Sequence, residues 1–510
     1  MSAKVQSLLS SGGGGNVVDI ECHLSNNLPN IVIVGFANKA VDEAKERLRG
    51  AFANSHLQLP RKRITINLAP ADMPKDDCGF DLAIAASILL ASEQIPVNSF
   101  GPKTALIGEL GLDGSLRPVR GIIGKLLAGR SRGITTFFIP AANLRQGQLV
   151  PGITIYAVQN LYALYNHCNN LQALPTLETA EGIYEPLDEP EGRRSGLSEI
   201  IGQAQAKRAL VIAAAGGHNV FFSGPPGTGK SMLAKALPDI LPPLNHEEML
   251  EVTHLHSLAS HNYEQIITDR PFRAPHHSAS HVAVIGGGLS LRPGEISLSH
   301  RGVLFFDELP EFSRLTLEAL RQPLEDRSIS VARAKDTAEY PANFILVATA
   351  NPCPCGYYGT SGTCRCLPAQ IMRYQNKLSG PILDRIDLHT SVHEVDHKKL
   401  LSKSTDPQSD QTIRDQIITA RTTQAKRYNA ASKLNCDMTN QDIKQLAKLE
   451  PEAKTILDTA AIRLNISARA YMRAIKVART IADLEGSVAI TAGHLSEALA
   501  YRAPTAPLTA

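Results

Sequence analysis

Apolar and polar positions along this chain follow two rhythms, and the switches between them mark out its elements. Val17-Val18-Asp19-Ile20-Glu21-Cys22-His23-Leu24 alternates with a period of two, as a half-buried strand does, and Ile31 to Gly35 is a continuous apolar run of the buried kind. Lys39 to Phe52 then takes a helical period, with Val41, Ala44, Leu48 and Ala51 on one face. The same reading predicts strands at Ile64–Leu68 and Ala105–Leu110 and a helix at Asp81–Ala91. Gly121–Ala128 and Phe137–Pro140 complete an α+β unit ending near Ala173. Gly12 to Gly15 reads as a flexible loop or a frayed start.

From Pro175 to Arg194 the rhythm is lost to Glu, Asp, Pro and Gly, the composition of an exposed linker. A helix from Ile200 through Ala214 follows, and then three short apolar runs, Val220–Phe222, Val303–Phe306 and Phe344–Ala350, read as buried strands of an α/β unit. After a polar break at Asp406–Asp410, Gln411–Tyr428 is a long helix, and further helices run to Tyr501. Ser467 suits the N-cap of one of them, with Ala470, Ile475, Ala478 and Ile481 apolar and Arg473, Lys476 and Arg479 read as solvated.

Composition changes little in this picture. The 510 residues suit about three domains. With 43% apolar and 20% charged residues and a net charge of +3, the chain is an ordinary globular one, and any grip on nucleic acid must come from local patches. The absence of Trp argues against a surface built on base stacking. No signal peptide and no run of 18 apolar residues is present, so no membrane role and a cytoplasmic location are expected. Eight cysteines, four of them crowded together, do not make a secreted disulfide framework. The domain expectation is 1–173, an acidic linker 174–195, a core 196–400 and a helical region 407–505.

The chemistry begins where the first α/β strand ends. Gly224-Pro225-Pro226-Gly227-Thr228-Gly229-Lys230-Ser231 fits a phosphate-binding loop, with a strand before it and a helix after it. Glycines let backbone N–H groups converge on phosphates, Lys230 reaches the outer ones, and Ser231 suits Mg²⁺. The run Val303–Phe306 ends in Asp307-Glu308, where ligands of open α/β sheets bind. Asp307 suits Mg²⁺, and Glu308 suits polarising an attacking water. Asn351 ends the third run and can orient that water or touch the terminal phosphate; the alternative is a turn-forming Asn. Arg385, between aliphatics and carboxylates, is a candidate arginine finger, or else pairs with Asp384 or Asp387.

Cys353, Cys355, Cys364 and Cys366 are spaced C-x-C-x8-C-x-C, which could close a tetrahedral Zn²⁺ site; reduced thiols or a redox-labile pair are the alternatives. The position directly after Asn351 suggests a structural metal. His276-His277 reads as a structural pair, because neighbours on an extended strand face opposite ways. Ser328–Tyr340 reads as a hairpin with Arg333 and Lys335 near its tip, and Gly286-Gly287-Gly288 as a flexible stretch.

The loop, Gly302–Phe312, Val347–Gly356 and Ser379–His389, with Pro271–His277 and Leu291–His300, resemble the magnesium-chelatase-like branch of the AAA+ ATPases. Gly108–Gly121 resembles the proteolytic domain of Lon-type proteases, a ribosomal-S5-domain-2-like fold, but Gly79 and Ile123 stand where its Ser–Lys pair would be, with Lys125 close by. The combination resembles the YifB/ComM family over residues 17 to 503. That resemblance implies a Lon-like α+β domain without a protease dyad, an AAA+ P-loop α/β core and a helical lid whose Arg469 is a second-sensor arginine. It implies ATP and Mg²⁺ as cofactors, a homohexameric ring, and DNA, branched or single-stranded, gripped by the hairpin of Arg333 and Lys335. The activity implied is branch migration in natural transformation; the alternative is an ATPase subunit that remodels a protein partner, as in metal chelatases.

Overall fold

The computed structural model describes residues 2–11, 14–35, 39–70, 78–179, 196–260, 265–288, 291–332, 337–359, 363–378, 380–395 and 407–502. The chain divides into two compact units. One comprises Met1–Glu189, Asn245–Thr268 and Ala332–Tyr340; the other comprises Pro190–Leu244, Asp269–Val331 and Pro341–Ala510.

The first unit is built on an eight-stranded mixed sheet. Its order is Thr176–Glu178, Thr154–Val158, Thr136–Pro140, Thr104–Leu106, Ser2–Ser11, Gly14–Ser25, Arg63–Ala69 and Asn30–Val34. Period-two alternation loads both faces in the middle: Leu106 and Phe138 enter one apolar core, while Ala105, Ile107, Phe137 and Ile139 enter the other. Toward the far edge only one face is covered, so Ile64, Ile66 and Leu68 are buried and Arg63 stands out. The expected helices form at Lys39–Asn54, Asp81–Ala91 and Ile122–Ser131. Every residue of Asp81–Ala91 is buried, and its Leu82, Ile84, Ile88, Leu89 and Leu90 contribute on the order of 10 kcal/mol of transfer free energy before entropy is subtracted.

Three features of this unit differ from the pattern reading. Ser2–Ser11 is a strand, paired antiparallel along its whole length with Gly14–Ser25, so Gly14 and Gly15 belong to a hairpin and not to a frayed start. Ala105–Leu110 is broken into two strands, the second of which, Glu109–Leu110, pairs with Leu116–Arg117. Thr176–Glu178, inside the acidic stretch, is an edge strand of the sheet; residues 180–195 lie outside the described residues.

At the turn compared above with Lon-type proteases, the Gly79 carbonyl accepts from Gly108 N. Asp81 is held by Arg47 in a two-point ion pair, with contacts of 2.6 and 3.1 Å, and by Leu110 N. Burial pushes Asp81 up to about 6. Ile123 and Lys125 are both fully buried.

The second unit carries an all-parallel five-stranded sheet, ordered Phe272–Arg273, Val303–Phe306, Ile345–Ala350, Val220–Ser223, Leu388–Ser391. Helices at Ala204–Gly216 and Lys230–Ile240 pack on it, so its central strands are buried throughout and read as continuous apolar runs. The strand Ile345–Ala350 lies between the phosphate-loop strand and the strand of Asp307 and Glu308. Nothing local in the sequence dictates that insertion, and it decides the geometry of the site. Gly286–Gly287, expected to be flexible, pairs with Arg292–Pro293 as a short two-stranded ribbon.

Helices Pro407–Tyr428, Asn440–Leu446, Pro451–Arg463, Ala468–Leu484 and Ala492–Ala500 complete the unit. Ser467 caps its helix as expected, accepting from Ala470 N. The polar break is a helix start instead, and Asp410 accepts from the backbone N–H and hydroxyl of Ser198 at 3.0 and 2.6 Å. The face read as solvated is turned inward. Arg479 is 1% exposed and pairs at 3.0 Å with Asp483, which also accepts from Arg427 and Asn435. Arg473 and Lys476 donate to the carbonyls of Ile386 and Cys436. Three cations can face inward because carboxylate and carbonyl oxygens meet them there. No helix among the described residues is long and apolar enough to cross a membrane.

Candidate nucleotide site and a second cationic cluster

Lys230, Ser231, Asp307, Glu308 and Asn351 meet at the C-terminal ends of three adjacent parallel strands. The phosphate loop leaves Val220–Ser223 so tightly that a Cβ on Gly224 would lie 2.2 Å from the Val392 carbonyl, which excludes any other residue there. Thr228 Oγ1 braces the loop from inside by donating to the Pro225 carbonyl at 2.9 Å. Gly229 takes φ 88 and hands the chain to the helix that begins at Lys230.

Lys230 Nζ donates to the carbonyls of Gly224 and Pro225, at 2.6 and 2.7 Å, and to Asn351 Oδ1 at 3.0 Å. Asn351 turns its other end to Glu308, donating from Nδ2 to Oε1 at 3.0 Å. The inserted strand thus places one amide between the phosphate-binding cation and the candidate base. Ser231 Oγ donates to Asp307 Oδ2 at 3.1 Å. That is close to the ~3.0 Å separation of adjacent oxygens around a Mg²⁺ with ~2.1 Å bonds, so the pair fits the ion. Asp307 and Glu308 are exposed, and Glu308 sits at φ 53, a conformation that non-glycine residues adopt only at a cost.

Thr349, which the pattern reading passed over, organises both acids. Its hydroxyl donates to Asp307 Oδ1 at 2.7 Å and accepts from Glu308 N at 2.9 Å. A lone hydroxyl in an otherwise apolar run was the available signal. Gln203, just ahead of the helix Ala204–Gly216, reaches the Thr228 carbonyl at 3.4 Å.

Burial pulls Lys230 down to about 8, against the opposing pull of Asp307 and Glu308. Between pH 8 and its ordinary 10.5 the unfolded chain therefore holds more protons, and this group's contribution makes folding stability rise with pH there. Phosphate binding acts the other way, because it favours the ammonium. Nucleotide affinity is expected to fall above pH 8 by up to about tenfold per pH unit, with about half a proton taken up on binding at pH 8. Calorimetric titration in buffers of different ionisation enthalpy measures both; an affinity flat from pH 7 to 9.5 would contradict the assignment.

The two candidate arginines form a second cluster that shares none of these residues. Arg385, its side chain 13% exposed, donates from Nη2 to Glu325 Oε1 at 2.6 Å, and Arg469 approaches the same oxygen at 3.7 Å. Neither Asp384 nor Asp387 is the ion-pair partner of Arg385, contrary to the alternative reading. The cluster lines a cavity of about 720 Å³ that Arg327, Arg473 and Lys476 also face. Glu325, Asp384, Asp387 and Asp437 line the same cavity, so its cations face carboxylates, with Arg327 paired to Asp437 and Arg473 to Asp384. Glu325 was invisible as a partner because it lies 60 residues before Arg385.

Beyond Asn351 the four cysteines converge, with ligand atoms all within 4.8 Å of one another, a group that could hold a metal ion. Backbone hydrogen bonds from Tyr357 and then Arg365 pull the Cys355 thiol down to about 6. His276 and His277 do not face opposite ways. They lie just past a two-residue strand, with ring centroids 4.1 Å apart, and His276 Nδ1 meets Ser278 Oγ at 2.7 Å. The strands Ser328–Ala332 and Thr337–Pro341 of the expected hairpin are present, but Arg333 and Lys335 lie outside the described residues.

Three family models match the chain. Residues 196–400 match the family model described as magnesium chelatase, subunit ChlI; residues 20–143 match subunit ChlI of Mg-chelatase, and 407–502 its C-terminal region. The chain is 43% identical over 508 residues to competence protein ComM of Haemophilus influenzae, covering 98% of this chain and 97% of that one. It is 43% identical over 488 residues to the uncharacterized protein YifB of Escherichia coli, covering 95% and 94%. Over 163 residues it is 31% identical to Lon protease 2 of Herpetosiphon aurantiacus, 30% of this chain and 20% of that one.

Proposed function

The chain belongs to the YifB/ComM magnesium-chelatase-like family, and on that premise we propose that it is an ATP-driven homohexameric motor that migrates branched DNA. The observation that carries the ATPase reading is the hydrogen-bonded set Lys230–Asn351–Glu308 beside Ser231–Asp307. The loop Gly224–Ser231 cradles the triphosphate, and Lys230 exchanges its carbonyl partners for phosphate oxygens. Ser231 and Asp307 hold Mg²⁺, which when bound offsets charge on the phosphate oxygens. Glu308 takes the proton of the attacking water, and Asn351 fixes its carboxylate relative to Lys230.

Arg385 and Arg469 act together, on the nucleotide of a neighbouring copy. Their common partner Glu325 and their separation from the phosphate-loop cluster support that assignment. Each site then needs two copies in head-to-tail contact, which the proposed ring closes on itself. A structural Zn²⁺ on Cys353, Cys355, Cys364 and Cys366 completes the cofactors, and the cytoplasm is the proposed compartment. The domain partition proposed is a Lon-like domain at 1–173, whose sheet the strand Thr176–Glu178 extends, a linker over the remainder of 174–195, the AAA+ core at 196–400 and the lid at 407–505.

DNA as the substrate rests on the 43% identity to a protein named for competence, with Arg333 and Lys335 as the contacts. The matched family models carry the name of a chelatase subunit, which supports remodelling of a protein partner as the second reading. A labelled four-way junction distinguishes the two. With ATP and Mg²⁺ the protein should convert it to branch-migrated products, and Glu308→Gln should not. An unchanged junction together with an ATPase rate indifferent to branched DNA would favour the protein partner.

A further inference from the structure

We propose that the zinc knuckle seats the phosphate loop, so that the metal controls nucleotide affinity; this rests on the zinc reading above. The sulfur separations support a single tetrahedral ion: Cys353–Cys355 is 3.3 Å, Cys353–Cys364 3.8 Å and Cys355–Cys364 3.6 Å. Four thiolates around Zn²⁺ at ~2.3 Å lie about 3.8 Å apart. Cys353 is fully buried, and backbone N–H groups of Tyr357 and Arg365 point at Cys355, as donors do around a bound thiolate.

Two contacts connect the knuckle to the nucleotide site. Gly356, at φ 87, packs close to Pro226 in the phosphate loop, where a Cβ would come within 2.5 Å of Cδ and 3.0 Å of Cγ. At the far end of the knuckle, the helix Pro368–Gln375 returns to the turn at its start. Gln375 Nε2 donates to the Pro352 carbonyl at 2.9 Å, next to Asn351. One ion therefore fixes a segment that touches Pro226 on one side and carries Asn351 on the other. Those are the two supports of Lys230, which bonds the Pro225 carbonyl and Asn351 Oδ1. Removing the ion removes the metal bonds that join the two cysteine pairs, and both supports loosen together. Gly356 is a positioning residue, acting on phosphates through Pro226.

The test measures zinc content by elemental analysis and the Kd of a fluorescent non-hydrolysable ATP analogue with Mg²⁺, on the full chain. The wild type should hold one zinc per chain. Stripping it with a chelator under reducing conditions should weaken the Kd by about tenfold or more, and zinc re-addition should restore it. Gly356→Ala should keep its zinc and still bind nucleotide about tenfold more weakly. Stripping avoids relying on cysteine variants that fail to fold. Carefully prepared wild type without zinc would remove the metal reading. Zinc present, with affinity unchanged both after stripping and in Gly356→Ala, would overturn the seating while leaving the metal in place.

Discussion

Glu308→Gln is expected to lower ATP turnover by about 10²- to 10⁴-fold while leaving nucleotide affinity within about threefold of the wild type. The change is a clean one. Glu308 Oε1 accepts from Asn351 Nδ2, and the amide oxygen of Gln can accept the same bond, so the link to Lys230 survives. The backbone of residue 308 remains held by Thr349 Oγ1. Only the ability to take a proton is lost, and about 3–5 kcal/mol of transition-state stabilisation goes with it. Single-turnover hydrolysis beside equilibrium binding of the same nucleotide separates the two quantities. Turnover within a few-fold of the wild type would move the base elsewhere, to Asp307 or to a residue outside the described ones.

Much of that site was legible in sequence, and the reason is that its components are local. The phosphate loop is eight consecutive residues, Asp307 and Glu308 are adjacent, and each group stands at the end of an apolar run that could only be a buried strand. What the sequence could not show was the order of those runs in the sheet. Strand order is settled by contacts between residues far apart in the chain, and here it places Asn351 between Lys230 and Glu308 and brings Thr349 against both acids.

The misreadings share that cause. Ser2–Ser11 has only Val5, Leu8 and Leu9 as buried large apolar side chains, too few to announce a strand. It is a strand because Gly14–Ser25 pairs with it on one side and Thr104–Leu106 on the other. Arg479 looked solvated because its charge was visible and its neutralising partner was not recognised. Asp483 stands four residues later on the same helix, but that it is buried depends on Arg427, 56 residues earlier. Arg385 likewise takes Glu325 over the acids beside it in sequence.

Arg385→Ala is expected to reduce ATP turnover by about 10³-fold or more, the range for loss of an arginine that meets the transferring phosphoryl group. Nucleotide should still bind, because the loop, Lys230 and Ser231 are untouched. Arg385→Lys should not restore the rate, since a point charge cannot reproduce the planar two-nitrogen fork. Glu325 is already 46% exposed beside Arg385 and is hydrated further without it, so the loss in stability should stay small.

In the proposed motor, one working site takes its phosphate loop from one copy and its arginines from the next, and mixed rings put that sharing to the test. Lys230→Ala and Arg385→Ala chains, each inactive alone, are co-expressed with different tags, and rings containing both are isolated through the two tags in turn. Where a Lys230→Ala chain presents its intact Arg385 to the intact loop of an Arg385→Ala neighbour, a complete site is formed. Mixed rings should therefore recover a substantial fraction of the ATPase rate, greatest near equal proportions. Mixed rings that assemble and bind nucleotide, yet stay as inactive as either variant alone at every ratio, would contradict shared sites.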